Sequence, residues 1–190
     1  MTPPFFWRTM NRRALLAAFA VLLAQTAHAH SPYRQWKVMR QRYLLVHSTR
    51  TDPRSDQIAE KLVAIIQRVL PEANAMVGRA PNEQRVASLL TTGQAVLAVM
   101  RPEDARDLFL KQGAFGAYQG AHLRLLARVE DRVLATVEDF PAHHAWLVAA
   151  ALVENPEALS IRVPDSIPGE VPVHPGAAAF GRGEPLDAPR

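Results

Sequence analysis

The hydrophobic positions of this chain switch repeatedly between two spacings. Tyr43-Leu44-Leu45-Val46-His47-Ser48 is a short apolar run, the pattern of a buried strand. Thr49 to Ser55 reads as a turn. From Asp56 onward Ile58, Leu62, Ile65, Ile66 and Val69 recur every three or four positions, which marks one face of an amphipathic helix. Asp52 or Ser55 suits the cap of that helix, Pro53 its first position, and Pro71 ends it. The alternation then repeats. Ala73 to Arg79 reads as a weaker strand, Ala80-Pro81-Asn82 as a turn, and Glu83 to Thr92 as a short helix stopped at Gly93. Ala95 to Met100 is the clearest strand in the chain. Pro102 to Gln112 reads as a third helix with Gly113 as its stop. Leu123 to Val129 and Arg132 to Val137 flank Glu130-Asp131 and form either a hairpin or two successive strands. A fourth helix is expected from about Pro141 to Val153, carrying Trp146, Leu147 and Ala150.

Strands alternating with helices predict an α/β fold, a parallel-rich sheet covered by helices and joined by right-handed crossovers. From Asn155 the composition changes: residues 155–190 hold seven of the 15 prolines and four of the nine glycines. That segment is expected to lie extended over the domain or to be partly disordered. The predicted organisation is therefore a leader over 1–29, an α/β domain over 30–154 and a Pro/Gly-rich tail over 155–190.

The leader is read from its own pattern. Arg8, Arg12 and Arg13 precede an apolar run from Ala14 to Ala24, too short to cross a bilayer as a helix. Ala27-His28-Ala29 supplies the small-residue pattern of a cleavage site, so a cleavable secretory signal and a periplasmic location are expected. Asn11-Arg12-Arg13-Ala14-Leu15-Leu16 also partly matches a twin-arginine signal, which leaves the export route open. Cleavage changes the charge. Three of the 22 Lys and Arg go and none of the 18 Asp and Glu, leaving 19 against 18, or about +1. That balance gives no electrostatic footprint for nucleic acid. With no cysteine, disulfides, thiolate nucleophiles and Cys-based metal sites are excluded.

Candidate chemistry sits at the carboxyl ends of the predicted strands, beside helix N-termini that favour anions. Three loops leave the sheet there: Ser48-Thr49-Arg50-Thr51-Asp52 with Ser55 beyond it, Arg79-Ala80-Pro81-Asn82, and Met100-Arg101-Pro102. Their hydroxyls, amide and arginines suit a carboxylate or phosphate, because arginine grips such groups with two parallel hydrogen bonds. The candidate ligand-binding residues are Ser48, Thr49, Arg50, Ser55, Asn82 and Arg101. The same residues also fit ordinary helix caps and solvated loop arginines. His143 and His144 are adjacent, so they point in different directions from a helix and do not make a zinc pair. No metal site and no cofactor is expected. No G-x-S-x-G, G-x-G-x-x-G or P-loop pattern is present, and no enzyme is expected.

The order of these segments resembles the TAXI family, the solute-binding subunits of a class of TRAP transporters. The resemblance is carried by Tyr43-Leu-Leu-Val-His-Ser-Thr and by Asn82 to Gln94 followed by Ala95-Val-Leu-Ala-Val-Met100. Leu123-Arg-Leu-Leu-Ala127, Glu138-Asp139-Phe140-Pro141 and His174-Pro175-Gly176-Ala177 also fit, so it spans roughly Tyr43 to Phe180. It implies one lobe of a type II periplasmic binding protein that captures a small organic anion, a carboxylate, for a membrane permease. Its ligand loops fall on Ser48, Thr49 and Arg50, on Asn82, and on Arg101. Two departures stand out. The family's first loop is rich in glycine and this one has none, and the second lobe is missing between about Arg128 and Glu138. A homodimer supplying the missing wall is one expectation; a sensor or protein-interaction module that keeps the fold without transport is the other.

Overall fold

The structure, a computed structural model, describes residues 43–118, 122–165 and 170–185. The predicted leader and the start of the predicted α/β domain, residues 1–42, lie outside them. The first strand, β1 (Leu45–Thr49), is followed by helix α1 (Pro53–Val69), as the change of spacing predicts. Asp52 caps α1, its carboxylate accepting the Arg54 N–H at 3.2 Å, and Pro53 occupies the first helical turn. Ile58, Leu62, Ile65 and Ile66 are fully buried. Each contributes about 1.5–3 kcal/mol, an upper bound because the unfolded chain is not fully extended.

Strand β2 (Met76–Ala80) begins later than the apolar pattern suggests, because the turn Pro71–Ala73 and Asn74, at φ 46°, carry the chain round first. Helix α2 (Glu83–Thr91) ends before Gly93, and β3 (Leu97–Met100) is buried throughout. Helix α3 (Pro102–Leu110) stops two residues short of the expected Gln112. Lys111 takes the left-handed conformation, at φ 57°, and its N–H closes the helix. Strands β4 (Leu123–Val129) and β5 (Arg132–Val137) form a hairpin, which settles the two alternatives. Helix α4 (Ala142–Glu154) follows.

The sheet order is β2-β1-β3-β5-β4-β6, with β6 spanning Ile161–Arg162. It is parallel through β2-β1-β3 and antiparallel through β5-β4-β6. This is an α/β sheet flanked by helices. Side chains alternate across it: Ser48 reaches α1 on one face and Thr49 reaches α2 on the other. Helix α4 packs beside α1, while α3 lies over β4 and β5.

The described residues of the Pro/Gly-rich segment are part of this fold. Strand β6 pairs with β4, Leu125 bridges to Val173, and helix α5 (Pro175–Gly181) packs on α4. Gly176 makes that packing possible, because a Cβ there would stand 1.9 Å from the Ala142 carbonyl oxygen. His174 is buried, and its Nδ1 accepts the Gly176 N–H at 3.2 Å to cap α5. Among the described residues no helix is long and apolar enough to cross a membrane.

Candidate functional site

Three parallel strands end at one edge of the sheet, on Thr49, Ala80 and Met100, with Thr49 in register with Ala80. Strand β4 runs in the same direction, being antiparallel to β5, which is antiparallel to β3. The Glu130-Asp131 turn therefore joins the same rim. The gathering of loops expected at strand ends is present.

Not every candidate residue faces the same space. Thr49, Ser55 and Arg101 line one concavity together with Asp52, Glu83 and Asp104. Ser48 does not, since its side chain points to the opposite face and its hydroxyl donates to Asp56 Oδ1 at 2.8 Å. Asn82 is exposed and caps α2, its Oδ1 accepting the Arg85 N–H at 2.9 Å. Arg50 is exposed beside the rim, tied to it by its backbone N–H on the Ala80 carbonyl at 2.9 Å. Arg79 leaves the rim altogether and pairs with Asp56 and Glu60.

At the rim Arg101, Arg132, Thr49 and Thr51 are held by carboxylates of the chain itself, and Ser55 by a backbone carbonyl. Arg101 donates through Nε and Nη2 to Asp104, at 2.7 and 3.0 Å, the two-pronged geometry expected for a carboxylate ligand. Thr51 donates to Glu83 at 3.0 Å and Thr49 at 3.3 Å. The Ser55 hydroxyl donates to the Asp52 carbonyl at 2.8 Å and accepts the Thr49 N–H at 3.3 Å. Arg132, from β5, donates to both oxygens of Asp52 at 2.8 and 3.0 Å, and Arg54 lies 3.7 Å from Asp131. The remaining cavity is about 10 Å³, room for roughly one water and not for a carboxylate group.

Electrostatics follow the same pairing. The hydrogen bond from Arg132 holds the Asp52 carboxyl below the ordinary range, and Asp52 raises Arg132 in return. Burial pushes the Asp104 carboxyl up, while Arg101 pulls it back. Behind the rim, His47 is buried with its imidazole against Gly78, and desolvation lowers its pKa. Desolvation, with His143 adding to it, lowers His144 to about 4.

The residues that close the rim are Asp52, Glu83, Asp104 and Arg132, none of which the sequence reading singled out as site residues. The i, i+3 spacing of Arg101 and Asp104 was a visible signal. The pairing of Asp52 with Arg132, 80 positions away, had none. Comparison of the chain with protein-family models, with curated proteins and with solved structures found no match.

Proposed function

We propose that this chain is an exported module on the plan of one TAXI-type solute-binding lobe, and that it acts as a sensor or by docking another protein, not by trapping a solute. One observation carries the reading: at the rim Arg101, Arg132, Thr49 and Thr51 are satisfied by the chain's own carboxylates and the Ser55 hydroxyl by the Asp52 carbonyl, and about 10 Å³ is left in the concavity. A two-residue turn joins β4 to β5 where the family resemblance calls for a second lobe, which supports action without hinge closure over a ligand. The outer rim, with Arg50 and Asn82 exposed, is the docking edge. A TRAP-type permease subunit is the partner class the resemblance points to.

The test is site-directed photo-crosslinking in the periplasm, with the reactive group placed at Arg50 or Asn82 and, as a control, at exposed Lys61 on α1. A partner band specific to the rim positions supports the proposal; equal labelling from Lys61, or none, contradicts it. A second reading, weak capture of a small carboxylate, is favoured by the Thr49 and Thr51 hydroxyls, which already hold a carboxylate. A solute would have to displace Glu83 and bear an association cost of at least about 4 kcal/mol. Under that reading E83Q binds dicarboxylates at lower concentration than the unaltered chain does.

A further inference from the structure

A second concavity, of about 370 Å³, lies on the α2/α3 face of the sheet, between α3, the ends of β4 and β5, and β6. Its apolar wall comes from Leu125, Val133 and Val171, and Arg106, Arg128 and Arg162 stand around it. Arg128 and Arg162 are direct cross-strand partners in the β4–β6 ladder, and Arg128 is also the partner of Val133. Like charges directly opposite on a sheet destabilise it. Of the other described arginines, those at positions 54, 68, 79, 101, 124, 132 and 182 have carboxylate partners, while Arg50 and Arg85 are exposed without one. Among the described residues, no carboxylate oxygen lies within ion-pair distance of Arg106, Arg128 or Arg162.

We infer that this cleft binds a small monocarboxylate with an apolar body. The volume falls within the range of small-molecule sites, and an apolar wall beside a few convergent charged groups is their usual make-up. Direct cross-strand partners have Cβ atoms about 5 Å apart, so the guanidinium groups of Arg128 and Arg162 can reach one carboxylate, which would relieve their mutual repulsion. Glu103, Asp165 and Glu170 also line the cleft, and their charge disfavours a second negative group on the ligand. A monoanion therefore fits better than a dicarboxylate or phosphate. The inference is independent of the rim concavity, whose Arg101 is already paired.

The experiment is an NMR titration of the full chain with hexanoate, acetate, adipate, hexanamide and inorganic phosphate. Hexanoate should saturate the signals of Arg128 and Arg162 and bind about tenfold more tightly than acetate or adipate, with no saturation by hexanamide or phosphate. R162Q should weaken hexanoate about tenfold or more while leaving the unliganded melting temperature equal or higher, since it removes a like-charge neighbour. If R162Q does not fold, R106Q is read in the same way. R101Q should change the affinity by less than about twofold. Equal binding of acetate, saturation by hexanamide, no binding of hexanoate, or loss of binding in R101Q but not R162Q overturns the inference. The last outcome would instead move the anion to the rim.

Discussion

Asp52 does two jobs at once, and replacing it in two ways separates them. Its carboxylate caps α1 through the Arg54 N–H and grips Arg132 across the rim at 2.8 and 3.0 Å. Both side chains of the ion pair are 14% exposed, so screening by water is limited. Asn caps a helix nearly as well as Asp, so D52N keeps the cap and loses the charge. A charge-assisted, two-pronged contact contributes about 1.5–3 kcal/mol, and one neutral hydrogen bond survives in the variant. D52N should then cost about 1–2 kcal/mol. D52A also loses the cap, worth about 1 kcal/mol more, and leaves Arg132 only the exposed Asp131. Urea unfolding at pH 7 of the unaltered chain, D52N, R132Q and the double variant measures the coupling directly. A coupling energy of about 1–2 kcal/mol is expected. A coupling near zero, or D52N as costly as D52A, would refute the idea that this pair locks the hairpin onto α1.

Other consequences are open to measurement. Stability should decline on acidification from about pH 6.5 towards 4. His144 is depressed to about 4, so the folded state prefers it neutral; the stability this brings is full above the unfolded value of 6.5 and is lost as pH falls through the folded one. The span corresponds to about 3 kcal/mol for this residue, and thermal melts of H144Q, which lacks the titration, should show a shallower acid decline. G176A should cost more than about 3 kcal/mol or abolish folding, because the Ala142 carbonyl already occupies the space. G78A should cost about 1–3 kcal/mol, as its Cβ would stand 2.7 Å from the buried His47 ring; G93A, with open space but φ at 66°, should cost about 1 kcal/mol.

Much of this architecture was legible because its signals are local. The 3–4 spacing of Ile58 to Ile66 and the Asp52-Pro53 start specify α1 within one stretch of chain, and the strand-end rule brings Thr49 and Arg101 to one rim. The last part of the chain was less legible. Pro175-Gly176-Ala177-Ala178-Ala179 is poor in bulky apolar residues because α5 lies close against α4, and small size, not hydrophobicity, is what that contact selects. The pairing within the rim was not legible for a different reason. The loops display arginines and hydroxyls, but whether those groups are free depends on partners such as Glu83 for Thr49 and Asp52 for Arg132, which the fold alone brings near. Arg79 illustrates the same point, since strand alternation turns it towards Asp56 on the far face.

The closed rim is tested most directly by following the Arg101 and Arg132 side-chain Nε–H signals and the Thr49 and Ser55 amides while succinate is added to 20 mM. The account predicts that all four stay in place, because Asp104, Asp52 and Glu83 already fill the positions a ligand would take. A saturable shift at Thr49, Ser55 and Arg101 together would contradict it and restore the strand ends as an anion-binding pocket.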